Sequence, residues 1–245
     1  MTLQIFPAYE ALSQAAAAAI AAVVRQKPEA VLCLASGHTP EGTFRHLVKM
    51  AADGDPDFSR CIFIGLDEWV GIAPYNPGSC YFFVHENLFK PLGIQPERIH
   101  FFNSLAPDLL AECQRIDDVV ARLGGLDLIL VGVGLNGHIA MNEPGTPWNL
   151  YSHVIALHET TITVGQKYFE QQTPLNKGIT VGLRYVQEAK QAILIASGRK
   201  KADILRQALE EPPTEQLPAS IFQQIPDGRV LLDEDAAAEL AALNL

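Results

Sequence analysis

Continuous apolar runs recur along the chain at Ala30–Ala35, Cys61–Leu66, Leu126–Val133, Val154–Leu157 and Ala192–Ala196, with one more at Arg229–Leu232. Mostly apolar rather than alternating, they read as strands covered on both faces, as in a parallel sheet. Between them, Pro40–Ala52, Cys80–Phe89, Pro107–Leu123 and Lys201–Glu210 read as helices, and the alanine-dominated run Ala15–Val24 lies in a helix beginning at Ala11. This alternation predicts an α/β fold: a doubly wound, mostly parallel sheet with helices on both faces, Rossmann-like. The loops at Asp53-Gly-Asp-Pro56, Pro74-Tyr-Asn-Pro-Gly78, Pro144-Gly-Thr-Pro147 and Pro212-Pro213 are too short for a domain linker, so residues 1–245 are expected to form a single domain. Ligands of such sheets sit beyond the carboxyl ends of the strands, which makes the residues after each strand the ones to read for chemistry.

Composition narrows the classes. With 245 residues, 48% of them hydrophobic, the chain is long and apolar enough to bury a sizeable core. The formal net charge of −10, and no basic run longer than Arg199-Lys200-Lys201, argue against a nucleic-acid partner. Ala15–Val24 is about half a membrane span long; no Lys or Arg precedes Arg25, and Glu10 is acidic. It therefore reads as a closely packed helix rather than a secretory segment, in a cytoplasmic protein with no membrane partner. The four cysteines contain no C-x-x-C pair, so no zinc site is implied and they are expected to be free, buried or partly buried thiols.

Four strand ends carry polar groups. After Ala30–Ala35 comes Ser36-Gly37-His38-Thr39-Pro40. Here Thr39 suits an N-cap, Pro40 the first helical position, and the free N–H groups an anion. After Cys61–Leu66 come Asp67-Glu68-Trp69, and a carboxylate at the mouth of an apolar strand is suited to proton transfer. Neighbouring side chains diverge, so one of Asp67 and Glu68 is expected to face the cleft. Leu126–Val133 runs into a Gly-rich loop holding His138 and Glu143. Gly132-x-Gly134-x-x-Gly137, with Glu159 further on, matches the dinucleotide fingerprint, but Pro144-Gly145 breaks the chain before the long helix that fingerprint requires. The better reading is a loop that folds back so that Glu143 orients and charge-stabilises His138 as an acid/base. Finally, Ser197-Gly198-Arg199-Lys200-Lys201 places cations at a helix start.

On Ala35-Ser-Gly-His-Thr-Pro40, Leu66-Asp-Glu-Trp-Val-Gly71 with Pro77-Gly-Ser-Cys-Tyr81, and Gly132-Val-Gly-Leu-Asn-Gly-His-Ile-Ala-Met-Asn-Glu-Pro144, the chain closely resembles the glucosamine/galactosamine-6-phosphate isomerase (deaminating) family. Asn-Gly-His followed by Asn-Glu-Pro resembles the deaminase branch; the related 6-phosphogluconolactonases typically continue Asp-Gly-His with Thr-Ala-Ser and lack the Glu. The resemblance implies an enzyme of amino-sugar catabolism that converts a hexosamine 6-phosphate and water to a ketohexose 6-phosphate and ammonia, with no metal or organic cofactor. By motif matching, Asp67 is the enolisation base, His138 the acid/base of ring opening, and Glu143 its supporting carboxylate. Asn136 stands in the ring-opening group where some relatives have an aspartate. The phosphate is expected on Ser36, Gly37, His38 and Thr39, with Lys201 matching a family Gly-x-x-Lys lysine. Lys167 falls where relatives often carry an arginine on a mobile lid, here roughly residues 151–178, and trades a bidentate clamp for a point charge.

Tyr151-Ser-His-Val-Ile155 lacks the basic residues of the allosterically activated members, so activation by an acetylated sugar phosphate is not expected. Monomers and hexamers both occur in the family, leaving a homo-oligomer open. Two other readings compete: a 6-phosphogluconolactonase-type hydrolase, against which Glu143 argues, and a non-catalytic sugar-phosphate sensor. Sensor domains of this kind are fused to a helix-turn-helix, for which a start at Met1-Thr-Leu-Gln-Ile leaves no room. Between the gluco and galacto epimers the chain leans to galacto, on Gly-Leu-Asp-Glu-Trp-Val, Pro-Gly-Ser-Cys and Asn-Lys-Gly-Ile-Thr-Val-Gly-Leu.

Overall fold

A computed structural model describes residues 1–241. Seven strands, β1 (Thr2–Phe6), β2 (Val31–Leu34), β3 (Ile62–Gly65), β5 (Ile99–His100), β6 (Leu128–Val131), β9 (Ala192–Ala196) and β10 (Arg229–Asp233), form the central sheet. Their order is β1-β10-β9-β6-β2-β3-β5, and every neighbouring pair is parallel. The apolar runs are continuous because both faces are covered. On one face Leu32, Leu128, Ile193 and Leu231 pack against helices α1 (Tyr9–Gln26) and α2 (His38–Ala52) through Leu12, Ala16, Ile20, Phe44 and Leu47. The other face carries the alternate residues, Cys33, Ile129, Leu194 and Val230. They meet Ile116 and Val120 of α5 (Leu109–Arg122), Val186 of α7 (Leu183–Glu188) and Leu205 of α8 (Ala202–Glu210). Each such side chain, fully buried, contributes roughly 1.5–3 kcal/mol.

The alanines of α1 let it lie close to α2, where a Cβ on Gly42 would collide with the Ser13 hydroxyl. The segment Cys80–Phe89 is helical, but as α3 (Cys80–Val84) and a π turn at His85–Phe89 leading into α4 (Lys90–Leu92), ended by Gly93 at φ +65°. Asp108 caps α5 by accepting from the N–H groups of Leu110 and Ala111, both at 3.0 Å. No helix among the described residues is long and apolar enough to cross a membrane.

One strand expectation needs correction. The run at Val154–Leu157 is a strand, β7 (His153–Ala156), but not of the parallel sheet. It pairs antiparallel with β8 (Lys177–Thr180), which pairs antiparallel with β4 (Asp67–Trp69), in a separate three-stranded sheet. A run of four apolar residues specifies a strand without its partner. β4 and β8 carry Asp-Glu-Trp and Lys-Gly-Ile-Thr, too polar and too short to register as apolar runs. The small sheet continues the chain directly from the end of β3 and sits over the carboxyl edge of the large one.

Candidate active site

Loops at the carboxyl ends of β2, β3, β6 and β9 converge on a cavity of about 200 Å³, roofed by α6 (Glu159–Gly165) and the 3-10 turn Gln166–Tyr168. That volume suits a small metabolite rather than a larger ligand. Ser36, Gly37, His38, Thr39, Asp67, His138, Lys167 and Lys201, from five separate segments, all line it. Glu143 and Asn136 are not on its wall; they lie behind His138.

The β2 end differs from its expected cap. Helix α2 starts at His38, with Gly37 rather than Thr39 at the N-cap and Pro40 in the third position. Gly37 adopts φ +102°, a conformation glycine takes at little steric expense, and turns the chain into the helix without a side-chain cap. Tyr9 supplies the tie instead: its hydroxyl accepts from Gly42 N–H at 2.7 Å and lies 2.9 Å from the His38 carbonyl, to which it donates.

At the end of β3, Asp67 and Glu68 part as their alternation requires. Glu68 turns inward and accepts from the N–H groups of Trp69 (2.9 Å), Cys80 (3.0 Å) and Tyr81 (3.0 Å) and from the Ser79 hydroxyl (2.7 Å), pinning the start of α3. Asp67 faces the cavity yet is only 8% exposed. Burial pushes its carboxyl up to about 7, the Cys80 side chain opposes this through a hydrogen bond, and the Glu68 charge adds to the rise. A carboxylate with that pKa can both take and return a proton near neutrality.

The loop after β6 folds back as its chemistry demands, and no helix follows Gly137, so the dinucleotide fingerprint is a coincidence of spacing. Glu159, its would-be ribose partner, is exposed in the first turn of α6. Glu143 Oε2 lies 3.5 Å from His138 Nδ1 and accepts from Asn136 Nδ2 at 2.8 Å, while its Oε1 accepts from His158 N–H at 3.1 Å. Burial acts to raise the Glu143 carboxyl, but the bond and charge of His138, with bonds from Thr161 and Asn136, hold it at about 2. The imidazole lies against Gly134, where a Cβ would stand 2.4 Å from its Cε1. Ala140 closes the loop at φ +53°, a left-handed conformation that costs a non-glycine residue roughly 1–2 kcal/mol. Asn142 holds it there by donating to the carbonyls of Ile139 and Val181, both at 2.9 Å.

The cations meet from two directions. Lys201 reaches the cavity from the turn after β9, which Asp233 fixes by accepting from Gly198 N–H at 3.0 Å and from the Ser197 hydroxyl. Its Nζ donates to the Val133 carbonyl at 2.6 Å, and burial, helped by the Lys167 charge, pushes it down to about 8. Lys167 comes from the covering segment, its Nζ 4.9 Å from the Tyr168 ring centroid. Burial, then the Lys200 charge, lowers it.

Sequence reasoning missed three cavity residues. Tyr168 stacks on His38 with ring centroids 5.4 Å apart, its hydroxyl lying over Gly37. Thr161 places its hydroxyl 3.1 Å from His138 Nδ1. Cys80 stands beside Asp67, a buried free thiol like the other three. The adjacency of Tyr168 to Lys167 and the place of Cys80 within Pro77-Gly-Ser-Cys-Tyr81 were the only signals.

The model of a family described as glucosamine-6-phosphate isomerases/6-phosphogluconolactonase matches residues 7–232. A glucosamine-6-phosphate deaminase of Lachnoclostridium phytofermentans is 43% identical over 91% of this chain and 95% of that protein. Glucosamine-6-phosphate deaminase 1 of Bacillus subtilis is 38% identical over 94% of this chain and 96% of that protein. Among solved structures, a monomeric glucosamine-6-phosphate deaminase superposes with a TM-score of 0.94 at 37% identity, covering 98% of this chain and all of that one. The 6-phosphogluconolactonase of Trypanosoma brucei, 19% identical, shares the fold with a TM-score of 0.77, covering 98% of each chain.

Proposed function

Since the chain belongs to the family of glucosamine-6-phosphate isomerases and 6-phosphogluconolactonases, and is an enzyme of the deaminating-isomerase kind, we propose that it converts glucosamine or galactosamine 6-phosphate and water to a ketohexose 6-phosphate and ammonia. The observation that carries this reading is the convergence of a cavity-facing carboxylate held near neutral pKa, an imidazole backed by a carboxylate, and two lysines around one small cavity.

In this reading the phosphate rests among the Ser36–Thr39 turn, Lys201 and Lys167, which offset its repulsion from a chain of net charge −10. His138 moves the proton of the C1 hydroxyl to the ring oxygen, and the ring opens. Asp67 takes the C2 proton and returns it to C1 while a proton passes from the nitrogen to O1, so that the C1 aldehyde becomes a hydroxymethyl group and the C2–N bond an imine. Water adds to C2, and the resulting carbinolamine passes its hydroxyl proton to the nitrogen, which leaves as ammonia as the C2 carbonyl forms. Glu143 and Asn136 do not touch the sugar; they hold the imidazole.

The relatives are named for the gluco epimer, whereas the segments around Asp67, Ser79 and Gly178 favour the galacto one. Ammonia release from the two epimers, measured side by side, assigns it. Asp67→Asn and His138→Gln are expected to abolish release from either sugar. No ammonia from either epimer, with hydrolysis of a phosphorylated sugar lactone, would replace this reading with the lactonase one; tight hexose-phosphate binding with no turnover would replace it with a sensor.

A further inference from the structure

Helix α6 touches the His138–Glu143 pair at two points, and both come from its first turn. His158, its N-cap, gives its backbone N–H to Glu143 Oε1 at 3.1 Å. Three residues on, Thr161, only 5% exposed, places its hydroxyl oxygen 3.1 Å from His138 Nδ1. The direct Nδ1 to Glu143 approach is longer, at 3.5 Å. Nδ1 therefore faces two oxygens, of which the hydroxyl is the nearer.

Glu143 is ionised and can only accept, whereas a hydroxyl can donate or accept, so a proton on Nδ1 serves both oxygens that face it and Thr161 accepts from the ring. The alternative, a bare Nδ1 accepting from Thr161, would set a nitrogen lone pair facing a carboxylate oxygen with no proton between them. We propose that Thr161 is a positioning residue whose hydroxyl accepts from Nδ1–H of His138 alongside Glu143, thereby fixing the imidazole tautomer and leaving Nε2 as the nitrogen that exchanges protons with the ligand. Among the described residues Nε2 has no hydrogen-bond partner, as a proton-transferring nitrogen requires. Because the hydroxyl belongs to the roof of the cavity and the ring to its floor, seating α6 is also what locks the base into its working tautomer.

The test uses Thr161→Val, which keeps the shape and removes the hydroxyl, and Thr161→Ser, which restores it. Side-chain ¹⁵N–¹H NMR of the intact protein, with His138 assigned by its loss in His138→Gln, is expected to show the neutral ring protonated at Nδ1 in the wild type and in Thr161→Ser. In Thr161→Val the Nδ1–H signal should be lost or shared with Nε2. In ammonia-release assays, Thr161→Val should lower kcat by about 10- to 100-fold, as loss of a residue supporting a ligand-contacting group does, with KM within about threefold, and Thr161→Ser should recover most of it. A wild-type ring protonated at Nε2, or a Thr161→Val spectrum like the wild type's, overturns the proposal, as does full kcat in Thr161→Val. The kinetic arm rests on the deaminase reading and the NMR arm does not. Failure of turnover in the wild type thus counts against that reading alone, and the spectra still decide the role of Thr161.

Discussion

Replacing Asp67 by asparagine should stabilise the protein while ending its activity, and the stabilisation should appear only as pH rises. An unfolded aspartate loses its proton near 3.8, and burial moves that event to about 7 in the folded chain. Between those values the folded state holds one proton more than the unfolded state, so the contribution of Asp67 to stability is full below 3.8 and is lost as pH rises through 7. The gap is about 3 in pH, which at 1.36 kcal/mol each corresponds to about 4 kcal/mol. At 8% exposure the side chain is little screened by solvent. An asparagine does not titrate and avoids this loss. Chemical unfolding of wild type and Asp67→Asn between pH 4 and pH 9 should show two proteins of similar stability at the acid end. The variant should gain steadily to about 4 kcal/mol above pH 8, about 10 °C in Tm for a chain of this length. The same titration should set the acid limb of kcat/KM in the wild type near pH 7, because the base must be ionised to take the C2 proton. A stability difference that does not change with pH, or a variant less stable than wild type at pH 8.5, would refute the assignment of a desolvated, proton-holding carboxyl to Asp67.

Glu143→Gln should behave in the opposite sense: with its carboxyl held at about 2 against an ordinary 4.5, Glu143 contributes about 3 kcal/mol that is present above pH 4.5 and lost as pH falls through 2, so the variant should be destabilised at pH 7 and nearly matched to wild type in strong acid, read by unfolding at both ends. Gly134→Ala should cost about 100-fold or more in kcat, because the added Cβ would stand 2.4 Å from the His138 ring and displace it, while the overall fold survives by circular dichroism. Lys201→Met should raise KM for a phosphorylated sugar by about 10- to 100-fold, the worth of one charge-assisted bond, with a smaller change in kcat. In the wild type, weak inhibition by inorganic phosphate should fade as pH rises above about 8, where Lys201 loses its proton.

Five of the seven strands of the parallel sheet could be read from the sequence because burial on both faces forces unbroken apolar strands, and those that carry the site, β2, β3, β6 and β9, are all of that kind; the edge strands β1, largely exposed, and β5, two residues long, carry no such run. The three-stranded sheet could not, since β4 and β8 are short and partly polar, and β7, though apolar, carried no mark of its partner. The site divides the same way. Asp67, His138 and Lys201 were legible because each lies in the segment that leaves the carboxyl end of a sheet strand, β3, β6 or β9, where position in the chain becomes position in the cavity. Thr161, Tyr168 and Cys80 were not, because they reach the cavity through tertiary folding of the roof and of the segment pinned by Glu68. The cap at Gly37 instead of Thr39 belongs here as well: the tie that sets that turn comes from Tyr9, some thirty residues away.

Three carboxylates close to the cavity are almost fully buried: Glu68 at 1% exposure, Glu143 at 4% and Asp67 at 8%. Burial alone would raise all three, and for Asp67 and Glu68 it prevails, even though Glu68 accepts three backbone N–H groups and a hydroxyl. Only Glu143 is driven down, and what it alone possesses is the imidazole of His138. Neutral donors temper desolvation; a group that can carry positive charge reverses it. The two site carboxylates are thereby separated by about 5 in pKa, one able to hold and pass on a proton, the other fixed as an anion that stabilises the protonated ring. Placing His138 against Glu143 and away from Asp67 is what assigns the roles. The loop from Gly132 to Glu143 achieves that placement with a glycine against the ring and a left-handed alanine held by Asn142.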